Sequence, residues 1–161
     1  MSKSQILNHE AITQKLDRIS SEILEEFYGE SSCILIGLNE RGHAIAKELS
    51  TLLLGNNLDV KVVQLIANQP ELDLIDFNSK DFKGQSIIII DDVLESGSTM
   101  MRATAFVMNY QPKQIKTAVL VDRMHHRFPI KADFVGLTLS TTLQDHIEVE
   151  ITNNEFEAYL I

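Results

Sequence analysis

The sequence has a single cysteine, Cys33, among its 161 residues. One cysteine cannot form an intramolecular disulfide, and the sequence has no cluster of cysteine and histidine residues that would supply the ligands of a zinc site. Because Cys33 lies in an apolar run, we expect a buried and unreactive thiol rather than a nucleophile.

Long apolar runs are also missing. No uncharged stretch approaches the roughly 18 to 20 residues that a membrane-spanning helix needs, and the opening Met-Ser-Lys-Ser-Gln lacks the apolar core of a secretory signal. We therefore expect a cytoplasmic protein with no membrane partner. With 44% hydrophobic and 23% charged residues, the composition fits one globular domain over residues 1–161.

Positive charge is scarce. The 14 lysines and arginines are outnumbered by 23 aspartates and glutamates, which gives a formal charge of −9 at pH 7 and argues against an extended nucleic-acid-binding surface. One dense basic stretch contains three cations and two histidines: Arg123, His125, His126, Arg127 and Lys131. Adjacent histidines do not project together as ligands on one helix face do, so we expect a surface or base-pocket role for them. RNA binding by this stretch is a minor alternative.

The signature motifs of two other enzyme classes are absent. The sequence has no Gly-x-x-x-x-Gly-Lys-Ser/Thr loop, which argues against a nucleotide triphosphatase, and no Gly-x-Ser-x-Gly turn, so Ser96 is not the nucleophile of a hydrolase. The pair Asp91-Asp92 is similar to the acids of phospho-acceptor receiver domains. Those acids, however, belong to an early strand and lack the small-residue turn that follows here.

The most informative stretch runs from residue 87 to residue 99. Four consecutive isoleucines predict a strand that is buried on both faces, as in a parallel sheet. Asp91 and Asp92 follow where the strand must surface, and a Ser-Gly-Ser-Thr turn leads into a helical run. Such a turn offers N–H groups and hydroxyls to a phosphate, and the helix dipole adds roughly half a positive charge. The carboxylates can accept hydrogen bonds from sugar hydroxyls or bind magnesium. The alternative is a buried strand with an acidic rim and an ordinary helix cap.

Strand-like and helix-like segments alternate along the chain. Asn8 can cap a first helix, whose apolar residues recur at helical spacing from Ile12 to Phe27. Two further helices are predicted over 42–54 and 99–109, and strands are predicted over 33–37, 60–66, 87–91, 115–121, 134–137 and 147–151. Residues 67–85 form a loop with room for a short edge strand. This order predicts an α/β fold, a mostly parallel sheet with helices on both faces.

Three chemically suggestive loops follow predicted strands. They cover residues 39–42, residues 91–99 and the segment that begins at Asp122. In parallel sheets, ligands bind at the carboxyl ends of the strands. We therefore expect the three loops to converge on one edge of the sheet.

The chain resembles the type I phosphoribosyltransferases in three places. Residues 87–99 are similar to the family's ribose-phosphate signature: four apolar residues, two acids, two apolar residues, a variable residue, then Ser/Thr-Gly-x-Thr. Residues 33–42 resemble the strand and loop that bind diphosphate. Residues 118–136 are similar to the Val-Asp-Arg-Gly-His-Arg-x-Leu-Pro-Ile-Arg-Ala-Asp stretch of the bacterial pyrimidine-operon regulators that are also uracil phosphoribosyltransferases. The order of elements agrees from about residue 6 to residue 151.

The resemblance implies an activity and an assembly. A 5-phosphoribosyl group would pass from phosphoribosyl diphosphate to a nucleobase, with uracil favoured, and diphosphate would be released. The transition state carries positive charge on the ribose, so catalysis rests mainly on positioning and electrostatics. The resemblance also implies Mg²⁺ as cofactor and a homodimer or larger assembly.

The resemblance assigns a role to each matching residue. The phosphate socket consists of Ser96, Gly97, Ser98 and Thr99, and the diphosphate loop consists of Asn39, Glu40, Arg41 and Gly42. Asp91 and Asp92 would engage the ribose hydroxyls directly or through magnesium. Together with Glu95 they are the catalytic candidates, and Arg123 is assigned to substrate binding. The family's non-proline cis peptide would fall at Asn39-Glu40.

The chain also departs from the family pattern. Glu95 stands where the pyrimidine regulators have Tyr, and it resembles the Asp of hypoxanthine-type enzymes, which contacts a base N–H and has been assigned as a general base. Glu40 replaces a neutral hydroxyl residue. Both glutamates should point away from the phosphates or have their charge balanced by magnesium or arginine.

The hood and flap region is shortened. Residues 67–85 stand in place of a longer, mobile flap, and their only cations are Lys80 and Lys83. A closing lid excludes water and completes a catalytic site, so a shortened flap disfavours catalysis. It favours a second candidate function, a non-catalytic regulator that senses a nucleotide or phosphoribosyl diphosphate. RNA is a further candidate partner of such a regulator.

Overall fold

Strands and helices alternate along most of the chain in the computed structural model, which describes residues 2–161. The strands are β1 (Ser4–Leu7), β2 (Ser32–Leu38), β3 (Asp59–Ile66), β4 (Asp73–Ile75), β5 (Ser86–Leu94), β6 (Gln114–Asp122), β7 (Phe134–Thr138), β8 (Ile147–Thr152) and β9 (Glu155–Leu160). The α-helices are α1 (His9–Glu26), α2 (Asn39–Leu52) and α3 (Ser98–Met108), and a 3₁₀ turn covers Ser79–Phe82.

Six strands form the main sheet in the order β4-β3-β2-β5-β6-β7. The neighbouring pairs are parallel except β3 and β4, which are antiparallel. The predicted α/β fold with a mostly parallel sheet is therefore confirmed. The parallel register brings the carboxyl ends of β2, β5 and β6 to one edge.

The isoleucine run of β5 packs on both faces of this sheet. Ile88 and Ile90 belong to the apolar cluster that contains residues of α1 and α2, whereas Ile87 and Ile89 pack in the cluster that contains residues of α3. All four isoleucines have 0% exposure. A strand covered on both faces needs such a continuous apolar run, and the predicted placement of helices on both faces is confirmed.

Helix α1 follows its sequence signals. The Asn8 side chain accepts a hydrogen bond from the Ala11 N–H at 2.8 Å, as a helix cap does. Farther along the helix, Arg18 donates to the backbone carbonyls of Val135 at 3.1 Å and Gly136 at 2.7 Å. These bonds satisfy carbonyls of β7, the strand at one end of the main sheet.

Cys33 is buried in β2 with 1% exposure. Burial raises the pKa of its thiol to about 12. The predicted burial of this thiol is therefore confirmed, and the raised pKa disfavours the reactive thiolate.

The two chain ends form a second sheet that the sequence analysis did not predict. Strands β1, β9 and β8 pair antiparallel in that order. The sequence analysis predicted β8, as a strand over 147–151, but neither β1 nor β9. Asn153 and Asn154 join β8 to β9 with φ values of 52° and 64°. Two residues with positive φ favour a tight hairpin turn. Phe156 and Ala158 of β9 are buried, which gives this strand an inward apolar face.

The shortened segment 67–85 is folded rather than extended. It contains the edge strand β4, which pairs with β3, as the sequence allowed. The 3₁₀ turn then places Phe82 in the core with 0% exposure. No helix within residues 2–161 combines the length and the apolar character needed to cross a membrane.

Candidate active site

A cleft of about 310 Å³ lies at the edge of the sheet where β5 ends. Its lining includes most of the residues that the sequence singled out: Asn39, Arg41, Asp91, Asp92, Glu95, Ser96, Gly97, Ser98 and Thr99. A second cavity of about 550 Å³ shares four of these residues and adds Glu40 and Asn68. Two of the three loops, those after β2 and β5, therefore converge on one edge, as expected from the parallel sheet. Neither cavity is lined by a residue of the third segment, which begins at Asp122.

The turn before α3 depends on a glycine. Gly97 has φ of 86°, and a Cβ at this position would lie 2.4 Å from Cγ2 of Ile130. The turn is further fixed because the Ser96 carbonyl accepts the N–H groups of Arg127 at 2.8 Å and Phe128 at 3.1 Å. The first N–H groups of a helix lack intrahelical partners, so the start of α3 presents a fixed set of donors to the cleft.

Asp91 and Asp92 lie side by side in the cleft. Asp91 Oδ1 accepts the N–H of Asp92, and Asp92 Oδ1 accepts the N–H of Val93, each at 2.9 Å. Burial, followed by the negative charge of Asp92, raises the pKa of Asp91 well above its ordinary value. The nearest cation is the Arg41 guanidinium, whose Nη1 lies 3.9 Å from Asp92 Oδ2. A cation or a set of hydroxyl donors in this cleft would stabilise the ionised pair.

The donor set fits magnesium but not a site made of protein ligands alone. Within residues 2–161, no group of three or more His, Cys, Asp or Glu side chains is arranged to hold a metal ion. Magnesium commonly binds one or two carboxylates and completes its shell with water and substrate oxygens. Asp91 and Asp92 satisfy that requirement.

The loop after β2 corrects two expectations. Residues 2–161 contain no cis peptide bond, so the expected cis Asn39-Glu40 bond is wrong; Asn39 instead turns the chain with φ of 56°. Helix α2 begins at Asn39 rather than at residue 42. Asn tolerates this left-handed conformation, and its Oδ1 accepts the N–H groups of Ala67 at 2.7 Å and Asn68 at 3.1 Å. These bonds tie the loop to the end of β3.

Gly42 and Arg41 have different tasks in that loop. A Cβ on Gly42 would lie 2.5 Å from the Ile90 carbonyl oxygen, so the missing side chain lets α2 approach β5. Arg41 is half-exposed, and its Nη2 lies 3.7 Å from Glu148 Oε1 on β8. Arg41 therefore lies between Asp92 in the cleft and strand β8 of the second sheet. Glu40 is exposed and lines the second cavity.

Arg123 lies behind the cleft and lines neither cavity. It is 9% exposed. Its Nη1 is 3.5 Å from Glu95 Oε1, and its Nε and Nη2 donate to the Thr141 hydroxyl at 2.9 Å and the Thr142 carbonyl at 3.1 Å. Its donors are thus used within the protein, and its assignment to substrate binding stays a prediction. Of the alternatives expected for Glu95, the structure shows an arginine beside its carboxylate.

Two histidines have defined neighbours near this site. His126 Nε2 lies 2.7 Å from Asp122 Oδ1, which also accepts the Met124 N–H at 2.9 Å, so this histidine closes the turn after β6. His146 Nδ1 lies 4.0 Å from Glu95 Oε1. The sequence analysis missed His146 because no local pattern links a residue before β8 to the end of β5.

The chain is similar to known proteins over nearly its whole length. The family described as phosphoribosyl transferase domain matches residues 2–152. The bifunctional protein PyrR of Bacillus cereus (strain B4264) is 32% identical over 167 residues, which cover 95% of this chain and 93% of that protein. The PyrR of Bacillus anthracis (strain CDC 684 / NRRL 3495) has the same identity and coverage.

Solved structures share the fold at lower identity. The hypoxanthine phosphoribosyltransferase of Trypanosoma cruzi has a TM-score of 0.80 at 17% identity, with 96% of this chain and 95% of that chain covered. A hypoxanthine-guanine phosphoribosyltransferase of Bacillus anthracis has a TM-score of 0.74 at 17% identity, with 98% of each chain covered. At these identities the likeness shows the common fold.

Proposed function

The chain belongs to the phosphoribosyltransferase family, and on that premise we propose that it transfers a 5-phosphoribosyl group from phosphoribosyl diphosphate to a nucleobase, with uracil as the favoured base. The observation that carries the proposal is the convergence of three features on one cleft. These are the glycine turn before α3, the paired carboxylates at the end of β5 and the arginine loop after β2.

The 5′-phosphate is assigned to the turn 96–99. The start of α3 supplies N–H donors and the positive end of a helix dipole, and three hydroxyl side chains in the turn add further donors. The fixed backbone at Gly97 supports this assignment because a preorganised socket binds phosphate without a further ordering cost.

The ribose and the magnesium are assigned to Asp91 and Asp92. Their carboxylates can accept the ribose hydroxyls or hold the cation. Bound Mg²⁺ would supply positive charge beside the diphosphate, which is a better leaving group when its charge is balanced. Without a cation, burial and the charge of Asp92 raise the pKa of Asp91, and a bound cation would favour its ionised form.

Bond making and breaking are assigned around the ribose C1′. The bond between C1′ and the diphosphate oxygen breaks, the base nitrogen forms the new bond to C1′, and the base loses one proton. Arg41, whose guanidinium lies beside Asp92, is assigned to balance charge on the departing diphosphate. Glu95, which lies beside Arg123, is assigned to accept the base N–H proton.

The choice of base rests on two features that disagree. The resemblance of residues 118–136 to the pyrimidine-operon regulators favours uracil. The carboxylate of Glu95 favours a hypoxanthine-type purine, and the solved structures named above are hypoxanthine enzymes. We give the pyrimidine more weight because its marker covers 19 residues of the chain and the purine marker covers one.

A second candidate function is a regulator that binds the nucleotide without turnover. The shortened segment 67–85 favours it, since this segment offers two cations, Lys80 and Lys83, and its middle is tied to the sheet edge by β4. RNA is a weaker candidate partner, because Arg123 and His126 of the basic stretch already have partners within the protein.

Turnover separates the two functions. The protein would be incubated with phosphoribosyl diphosphate, magnesium and each common nucleobase in turn, and diphosphate and nucleotide formation would be followed. The proposal predicts release of diphosphate with one base, uracil giving the highest rate. Nucleotide binding without turnover on any base would favour the regulator.

The assembly is also part of the proposal. We assign a homodimer or larger oligomer by resemblance to the family, and a cytoplasmic location stays a prediction. Light scattering over micromolar concentrations should give at least twice the mass of one chain. A single-chain mass at all concentrations would contradict the assigned assembly.

A further inference from the structure

The guanidinium of Arg102 donates three hydrogen bonds to the backbone of one short segment, residues 67–70. Nη1 donates to the Ala67 carbonyl at 3.0 Å, and Nη2 donates to the carbonyls of Gln69 and Pro70 at 2.8 Å each. Arg102 lies near the start of α3, about one turn of the helix after the phosphate turn, which consists of residues 96–99. The segment follows β3 directly and begins the shortened region 67–85.

Asn39 holds the N–H groups of the same segment. The N–H groups of Ala67 and Asn68 donate to Asn39 Oδ1 at 2.7 and 3.1 Å. Asn39 and Asn68 both line the larger cavity beside Asp91 and Asp92. The segment therefore connects the helix after the phosphate turn with the loop assigned to diphosphate.

Apolar packing contributes little to holding this segment. Ala67 is buried, but Asn68, Gln69 and Pro70 are exposed. Exposed loops with few apolar contacts open easily, so the polar contacts with Arg102 and Asn39 must fix its position. Arginine suits the task because its planar fork carries about five N–H donors, whereas a lysine ammonium acts as a compact point charge.

We infer that Arg102 is a positioning residue that fixes residues 67–70 as a rigid wall on the diphosphate side of the cleft. The inference rests on the proposed function. Arg102 touches neither cavity itself and acts through the segment that it holds. The start of region 67–85 is then a preformed wall rather than the hinge of a lid.

The first test measures the wall without any ligand. In Arg102→Met, hydrogen exchange at the amides of Ala67 and Asn68 should be at least about tenfold faster than in the wild type, while the amides of Val63 and Leu65 in β3 should change less than about twofold. Unchanged exchange at both amides would overturn the inference.

The second test compares two ligands that share the 5′-phosphate. Arg102→Met should weaken binding of phosphoribosyl diphosphate by about tenfold or more in calorimetry and leave uridine monophosphate, which has no diphosphate, within about twofold. Equal loss for both ligands would assign Arg102 a merely structural role and overturn the inference. If the wild type binds neither ligand, the proposed function fails and so does the diphosphate part of the inference, while hydrogen exchange still decides whether Arg102 holds the wall.

Two further variants serve as matched controls. Arg18→Met also removes an arginine that donates to two backbone carbonyls, but on the edge strand β7, and it should leave both affinities unchanged. Arg102→Lys keeps the charge and loses the fork, so it should resemble Arg102→Met in both tests. A lysine variant that behaves as the wild type would show that charge alone is needed and would overturn the positioning role.

Discussion

The guanidinium of Arg123 lies 3.5 Å from the carboxylate of Glu95, a residue that lines the cleft. The same guanidinium donates to the Thr141 hydroxyl and the Thr142 carbonyl, so it holds both the acid and the loop before β8. Because Arg123 balances its charge, the Glu95 carboxylate can lie close to the turn 96–99 in addition to the carboxylates of Asp91 and Asp92. Arg123 also restrains the carboxylate of Glu95, for which we propose a position facing the base.

Replacement of this acid should therefore affect turnover more than binding. Glu95→Gln should lower kcat by about 10²-fold, within the range of roughly 10²- to 10⁴-fold that general base assistance contributes, and leave the affinity for phosphoribosyl diphosphate within about twofold. Steady-state kinetics and calorimetry measure the two effects. Glu22→Gln is the matched control, since it removes an arginine-paired carboxylate on α1. Full turnover in Glu95→Gln would defeat the base assignment.

Much of the main sheet could be predicted from local pattern. The isoleucine run predicted the central strand because a strand covered on both faces needs apolar residues at every position. Asn8 and the helical spacing that follows predicted α1, since capping and periodicity act within a few residues. The same reasoning placed the turn 96–99 and the acids of the cleft at one edge.

The contacts that tie the site together could not be predicted in this way. Arg102 reaches carbonyls more than 30 positions away in sequence, and in the sequence it is one more cation on a helix surface. His146 meets Glu95 through the loop that Arg123 holds, and no spacing rule connects them. Strand β9, which was not predicted, is a different case. The alternation of apolar and polar residues around Phe156 and the Asn153-Asn154 turn are local signals of a hairpin.

The phosphate turn gives a second prediction. Gly97→Ala should weaken ribose 5-phosphate binding at least about tenfold, because the added methyl would lie 2.4 Å from Ile130 Cγ2 and displace the turn. Gly55→Ala is the matched control: its φ of 79° is equally unfavourable for alanine, but nothing lies within 4 Å of the new Cβ. Both variants should lose about 1 to 2 kcal/mol of stability from the backbone alone. Equal affinity of Gly97→Ala and the wild type for ribose 5-phosphate in calorimetry would contradict the assignment of the phosphate to this turn.

The third prediction concerns the pH dependence of stability in the absence of magnesium. The pKa of Asp91 is raised in the folded protein, so the folded state holds its proton more tightly than the unfolded state does. The free energy of unfolding must then fall as pH rises from the ordinary carboxyl range through the raised pKa, and the full penalty applies above it. Asp91→Asn removes that penalty and should raise Tm at pH 8 but not at pH 3.5.

Asp145 provides a control of opposite sign. Hydrogen bonds from Thr142 lower the pKa of Asp145, so its contribution to stability is present above the ordinary carboxyl pKa and is lost as pH falls through the lowered value. Asp145→Asn should therefore lower Tm slightly at pH 8 and converge with the wild type in acid. Thermal unfolding curves of the two variants at both pH values test the signs together. A lower Tm for Asp91→Asn at pH 8 would contradict the claim that ionised Asp91 destabilises the folded protein.

The central claim is that the paired acids and the two loops beside them bind phosphoribosyl diphosphate with magnesium. Calorimetric titration of phosphoribosyl diphosphate into the protein, with magnesium and then with a chelator, tests it most directly, and Asp91→Asn combined with Asp92→Asn provides the comparison. We expect one ligand to bind per chain with magnesium, and the affinity to be at least about tenfold weaker with the chelator or in the double variant. Absence of binding in every condition, or equal binding in all of them, would contradict it.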